Sequence, residues 1–389
     1  MMKSILITGA RAPVALHFAR LLTNAGHRVI LADSQLFPMA RGTKFKHKYF
    51  RLPKPVACLE TFGRAVEAIV QAENCDVVLP TCEEIFYLAA WRDLHNGKIP
   101  LLAPEFSKLA LVHNKADFAR STIGHAAASA ETILIENKND IADFAQDPEI
   151  YVFKPVWSRF ASHILICPSR KEVSTLAPSI AAPWIAQKYL PGEELCSWAW
   201  VQHGEVKAFS AYRPLQRAGR GAAIAFEPVK AAEIESFVAS YCKQLNWHGQ
   251  IAFDFRRDAD RHLHVLECNP RATSGAHFFG PHSNLAAALL EGATAKPDID
   301  SPMGLPLAML FYGLPQALKS GGPKSLSNWR REFAKLQDIS TWPGDRPLWS
   351  MQLLSLLEIA SSALLKNVAL TTAATSDIAW NGAALGPNQ

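Results

Sequence analysis

Four residues near the middle of this 389-residue chain have types and spacing that could do chemistry: Asp254 in "IAFDF", and Glu267, Asn269 and Arg271 in "HVLECNPRATSG". In an extended strand a spacing of two sends Glu267, Asn269 and Arg271 to one side. The runs "IAFDF" (251–255) and "LHVLE" (263–267) flank the polar turn "RRDADRH", which predicts a hairpin. A loop of residues 259–262 would then set Asp254 directly opposite Glu267. Facing carboxylates repel unless a cation lies between them. Oxygen donors from Asp, Glu and Asn suit Mg²⁺, which keeps several waters and completes its shell with phosphate oxygens. Arg271 adds a planar fork for phosphoryl or carboxylate oxygens. Polar residues merely leaving a strand end would not account for all four positions.

The elements that must hold such a hairpin can be read outward from it. At the start of the chain "KSILIT" reads as a buried strand, Gly9 as a turn, and Pro13 as the first turn of a helix through "VALHFARLLTNAG"; "HRVILAD" then resumes as a strand. This is a βαβ unit, and the helix "ETFGRAVEAIVQAE" with the strand "CDVVLPT" (75–81) continues a parallel, doubly wound pattern. Asp33 after the second strand suggests a dinucleotide site. However, "GARAPV" keeps only the first of the three glycines that such a site uses, so a structural domain is expected rather than an NAD site. From about residue 115 the texture changes to short strands with tight turns, the mark of an α+β domain with antiparallel sheets. The last ninety or so residues hold Gly/Pro-rich connections and one long apolar stretch, "MQLLSLLEIASSALLKNVAL" (351–370). That stretch predicts a helix packed in protein rather than lying on a membrane.

Composition narrows the function classes. With 49% hydrophobic and 19% charged residues the chain reads as globular, and a net charge of +5 is modest. The densest basic run, "ARGTKFKHKYFRLPK" (40–54), reads as a solvated loop rather than a nucleic-acid patch, and an anionic small-molecule substrate explains the charge equally well. The 7 cysteines stand singly, without metal or disulfide spacing, as expected in a reducing cytosol. Neither a leader sequence nor a membrane span is read, so a cytoplasmic protein without nucleic-acid or membrane partners is expected.

At this point the residues carry a resemblance. "FDF" followed by "LECNPR" resembles the metal-binding hairpin of the ATP-grasp superfamily, which includes carbamoyl-phosphate synthase large subunits, biotin carboxylase and D-alanine ligases. The resemblance implies that Asp254, Glu267 and Asn269 hold two Mg²⁺ ions, or Mn²⁺ in their place, bridging ATP phosphates, and that Arg271 steadies the transferred phosphoryl group. "HNKADF" resembles the segment that opens the ATP-grasp domain, which makes Lys115 a phosphate or nucleotide contact. "YVFKPVWSRFASHI" resembles the strand whose lysine, here Lys154, reaches the α and β phosphates. "WIAQKYLPGEEL" resembles the hinge: Gln187, Lys188, Tyr189 and Leu190 would receive adenine, and Glu194 the ribose hydroxyls. The family's loop after the strand lysine is usually glycine-rich but here reads "WSRFASH". Either Ser158, Arg159 and Ser162 close over the phosphates, or the loop has drifted and ATP binds weakly.

The fold so implied is α/β plus α+β. A Rossmann-like pre-ATP-grasp domain (1–112) would precede an ATP-grasp domain (113–300) of two α+β subdomains (113–188 and 189–300), with a C-terminal extension or cap (301–389). The implied activity is carbon–nitrogen ligation, in which ATP converts a small-molecule carboxylate to an acyl phosphate and an amine then displaces phosphate. Carbamoyl-phosphate-type chemistry, carboxylation and non-catalytic ATP binding are the rivals, and a homodimer is the family-based expectation. Around the site, Arg213, Arg217 and Arg220 either bind a substrate carboxylate or are solvated. Glu83 and Glu84, at a strand's carboxyl end, are candidates for holding the amine. His277 and His282 are expected to be structural.

Overall fold

The structure, a computed structural model, describes residues 1–144, 146–158, 164–218, 221–319 and 322–386. Three sheets carry the chain. The first is parallel, with β1 (Ser4–Thr8) at its centre, β2 (Arg28–Asp33) and β3 (Lys48–Arg51) to one side and β4 (Val77–Leu79) to the other. β1, β2 and β4 are apolar on both faces because helices cover both, while β3 lies at the edge with Lys48 and Arg51 exposed. Ile5 and Ile7 join a core with α1 (Pro13–Asn24), and Leu6 joins one with α2 (Leu59–Ala72) and α3 (Glu84–Leu94). The turn after β1 needs glycine: Gly9 has φ +71°, and a Cβ there would lie 2.6 Å from Thr81 Oγ1.

The second sheet is antiparallel, in the order β5 (Thr132–Ile135), β8 (Trp184–Lys188), β6 (Tyr151–Pro155), β7 (Leu165–Ile166). One face closes a small core around Phe144, Phe153 and Ala186; the other carries Lys154, Ile185 and Gln187 toward the middle of the molecule.

The third sheet has the order β13 (Leu263–Asn269), β12 (Gly249–Arg257), β9 (Glu193–Gln202), β10 (Glu205–Arg217), β11 (Ala223–Val229), β14 (Met303–Gly304), β15 (Gln337–Asp338). It is antiparallel except between β14 and β15. Leu195, Ala199, Ile251 and Phe253 share one core with α2 and α3, while Trp198, Trp200 and Ala252 share another with α1. The first and third sheets are therefore fused through two continuous cores rather than joined by a linker.

Residues after 300 do not form a separate layer. They supply β14 and β15, insert Leu348 into the α1 core, and send Trp380 into the core beneath α3. The helix Trp349–Lys366 departs from expectation. Only Ala363 is buried, and Leu357, Leu364 and Leu365 are 65%, 83% and 88% exposed. Apolar periodicity specifies a face but not what covers it. Its inner side keeps Met351, packed on Gly42, and Leu356 and Ile359 half-buried, and Glu358 there accepts from the Leu36 and Phe37 N–H groups, both at 2.8 Å. Among the described residues no helix is long and apolar enough to cross a membrane.

Candidate active site

The hairpin sets Asp254 opposite Glu267, and Ala252 opposite Asn269. The route to that register differs from the expected 259–262 loop. The Asp258 N–H donates to the His262 carbonyl at 3.0 Å, so the turn closes over 259–261 with Arg261 at φ +64°. Leu266 is then an extra residue in β13, and this bulge restores the pairing of Asp254 with Glu267. Asp254 lies beside Cys196 on its other flank, and Cys196 beside Tyr212. Sequence reasoning missed both, although Glu194 and Cys196 share one face of β9, a spacing-of-two signal like that of Glu267 and Asn269.

The polar groups at the strand ends bind one another. Asn269 Nδ2 donates to Asp254 Oδ2 at 3.3 Å, and Asn269 Oδ1 accepts from Arg271 at 3.3 Å. Arg271 Nε lies 3.7 Å from Glu83 Oε1 at the mouth of the first sheet. Burial, and then the neighbouring Glu267, push the Asp254 carboxyl up.

Two lysines from other elements converge on Glu267. After α4 (Phe106–His113), Asn114 caps α5 (Lys115–Ser121) by accepting from the Ala116 and Asp117 N–H groups at 3.0 and 3.1 Å. That cap turns Lys115 inward, where its Nζ donates to the Ser158 carbonyl and stands 3.8 Å from Glu267 Oε2. Lys154 Nζ donates to Gln187 Oε1 at 2.8 Å, and Gln187 Nε2 is held by the Ser129 and Thr132 hydroxyls, both at 3.1 Å. Burial lowers both lysines, Lys154 to about 8, while Glu267 opposes the shift. At Glu267 burial favours the neutral acid, but Lys115 and Lys154 outweigh it and hold the carboxyl below its usual range.

The remaining predicted residues fall into place unevenly. Lys188 and Tyr189 are exposed at the end of β8 and Leu190 is half-buried, with the Tyr189 N–H donating to the Ile150 carbonyl at 2.8 Å. Glu194 is ion-paired with Arg217, which also donates to the Gly221 carbonyl at 2.5 Å. Arg213 is paired with Glu193 and Glu227 at the surface rather than turned to the site. Ser158 is buried; Arg159, Ser162 and Arg220 lie outside the described residues.

Glu84 Oε1 accepts from Thr8 Oγ1 at 2.7 Å and from the Thr81 N–H at 3.2 Å, and burial pushes the carboxyl up. Of the two glutamates only Glu83 reaches the site. His277 is buried against His17, with ring centroids 4.9 Å apart, and His282 is exposed. Asp33 accepts from Arg11, which Asp377 also engages at 2.6 Å, so the acid that suggested a dinucleotide site is spent on a salt bridge.

Taken together, the donor set fits Mg²⁺. Two carboxylates in register and an amide oxygen are hard ligands, and burial keeps the adjacent Cys196 thiol protonated and out of competition. Buried lysines opposite such a set suit a polyphosphate.

No family model matches the chain, and no curated protein matches it by sequence. Solved structures do match. N5-carboxyaminoimidazole synthetase from Staphylococcus aureus, complexed with ADP, superposes with a TM-score of 0.57 at 14% identity over 77% of this chain and 80% of that one. An L-amino acid ligase from Bacillus licheniformis gives 0.57 at 15% identity over 74% of each chain. Phosphoribosylamine–glycine ligase from Thermotoga maritima gives 0.59 at 13% identity over 77% and 78%. At these identities the likeness is one of fold.

Proposed function

We propose that this chain, which has the ATP-grasp fold of those solved structures, is an ATP-dependent carbon–nitrogen ligase. It would activate a small-molecule carboxylate as an acyl phosphate and join it to an amine. The observation that carries this reading is that buried Lys115 stands 3.8 Å from Glu267, directly opposite Asp254, with Lys154 buried near it and bonded to Gln187. That arrangement brings buried cations beside hard oxygen ligands, which is what a metal-bound triphosphate needs.

In this reading Asp254, Glu267 and Asn269 would hold Mg²⁺, which would supply charge neutralisation for the triphosphate. Lys115 and Lys154 bind phosphate oxygens, with Lys154 leaving Gln187 or sharing it. Gln187, Lys188, Tyr189 and Leu190 line the adenine side, and Glu194 takes the ribose hydroxyls once Arg217 releases it. The substrate carboxylate attacks the γ-phosphorus and ADP departs. Arg271 steadies the transferred phosphoryl and then the acyl phosphate, and Glu83 orients its guanidinium. The amine next attacks the acyl carbon, phosphate leaves, and the amine proton passes to solvent or a nearby base. The domain partition 1–112, 113–300 and 301–389, a cytoplasmic location and a homodimer complete the proposal.

The test is product analysis with Mg-ATP and pooled carboxylic acids, with and without pooled amines. ADP that forms only with an acid present and rises with an amine is the expected result. AMP would move the reading to adenylate chemistry, and nucleotide binding without turnover would reduce it to a binding protein.

A further inference from the structure

Residues 374–383 cross from the first sheet to the residues that follow Lys154, and the crossing is bonded along its length. Arg11 donates to the Ala374 carbonyl at 3.0 Å and meets the Asp377 carboxylate at 2.6 Å. Ser34 Oγ donates to Asp377 at 2.5 Å, and the Tyr87 hydroxyl to the Ala379 carbonyl at 2.8 Å. Trp380 is 5% exposed and sits among Phe86, Phe106 and Trp157, with ring centroids 5.0, 5.1 and 4.9 Å away. Its indole N–H donates to the Ala383 carbonyl at 2.7 Å, closing a turn that lays Gly382 on the face of Trp157. Gly382 has φ +88°, and a Cβ there would stand 2.4 Å from the Trp157 indole. Trp157 adjoins Ser158, whose carbonyl accepts from Lys115.

We propose that residues 374–383 form a clasp that positions Trp157 and Ser158, and through them Lys115, for the triphosphate. Trp380 and Gly382 are positioning residues: they touch the ring next to a lysine's partner, not the nucleotide. A buried cation is tolerated only where its hydrogen-bond partners are fixed, and the Ser158 carbonyl is one that Lys115 cannot replace from solvent. Without the Trp380 ring, Trp157 loses one packed face, and residues 157–158 gain freedom that Mg-ATP must then remove at a cost in affinity. The effect on nucleotide rests on the ATP-dependent reading above; the mechanical link rests on the chain's own contacts.

The experiment compares Trp380→Ala, Trp380→Phe and Gly382→Ala with the parent in the full chain. Amide hydrogen exchange at residues 156–158 is read without nucleotide, and the Mg-ATP dissociation constant by calorimetry. The expected result for Trp380→Ala is exchange about tenfold faster at 156–158, with cooperative unfolding retained. Its Mg-ATP binding should be about fivefold weaker, and its kcat at saturating ATP within about twofold of the parent. Trp380→Phe should recover most of both changes, and Gly382→Ala should move both in the direction of Trp380→Ala. Unchanged exchange overturns the clasp, and faster exchange with unchanged affinity overturns its positioning role. Should Trp380→Ala fail to fold, Gly382→Ala decides, because it keeps Trp380 and its anchors. A parent that does not bind Mg-ATP would overturn the ligase reading, while the exchange arm would still judge the clasp.

Discussion

Two places in this molecule gather charge at the ends of strands, and they are built in opposite ways. Beyond β1 and β2, Arg11 lies between Asp33 and Asp377, Ser34 serves the same carboxylate, and Glu84 is held by Thr8 with its carboxyl pushed toward the neutral form. The Arg11 charge there is met by two carboxylates from within the chain. Beyond β12 and β13 the accounts stay open. Asp254 and Glu267 face each other, and buried Lys115 and Lys154 lie near Glu267, Lys115 at 3.8 Å and Lys154 bonded to Gln187. Closed networks hold a fold together, whereas open ones are stabilised by a ligand that completes them.

Substitutions at the two places should therefore separate cleanly. The largest effect is expected for Glu267→Gln, which removes one ligand charge and the carboxylate paired with Lys115; ADP formation should fall about 100-fold or more while the melting temperature changes little. Lys154→Met should weaken Mg-ATP binding by about 2 kcal/mol, seen calorimetrically as roughly thirtyfold. The same lysine sets a pH limit. It is cationic below about 8 in the free protein, so kcat/KM for ATP should fall as pH rises through about 8. Stability should move the other way: the unfolded chain holds that proton from about 8 up to 10.5, so the cost of burying the cation disappears across that window. Asp377→Asn, in the closed network, should cost about 1–2 kcal/mol by denaturant unfolding and leave ADP formation per folded molecule within about threefold, since Arg11 keeps Asp33. Arg213→Ala is the control: its pair is half exposed, and under about 0.5 kcal/mol should be lost. A stability loss at Glu267 as large as at Asp377 would break the contrast.

The open site was the more legible of the two. The period-two spacing of Glu267, Asn269 and Arg271 depends only on strand geometry, so it survives ignorance of everything else. The pairing of Asp254 with Glu267 was also readable, although a turn at 259–261 and a bulge at Leu266 reach it by two compensating steps that no hairpin rule foresees. Arg11 was not legible as a keystone, because its second acid, Asp377, comes from the far end of the chain. Trp380 failed for the same reason: an aromatic residue in a Gly/Pro-rich tail does not name its partners. The helix Trp349–Lys366 was legible as a helix and misread in its packing, since its period shows an apolar face whether or not anything lies on it.

The two short strands donated by the last ninety or so residues have a consequence for handling the protein. β14 pairs with β11 through Ala225 and Phe226, and β15 lies outside β14. A chain cut after residue 300 would leave β11 with unpaired N–H and C=O groups beside the apolar stretch Ile224, Ala225 and Phe226. Such an edge is a template for strand addition. Trimming to the motif-bearing part would thus make a sticky polypeptide, one whose aggregation could be mistaken for loss of function.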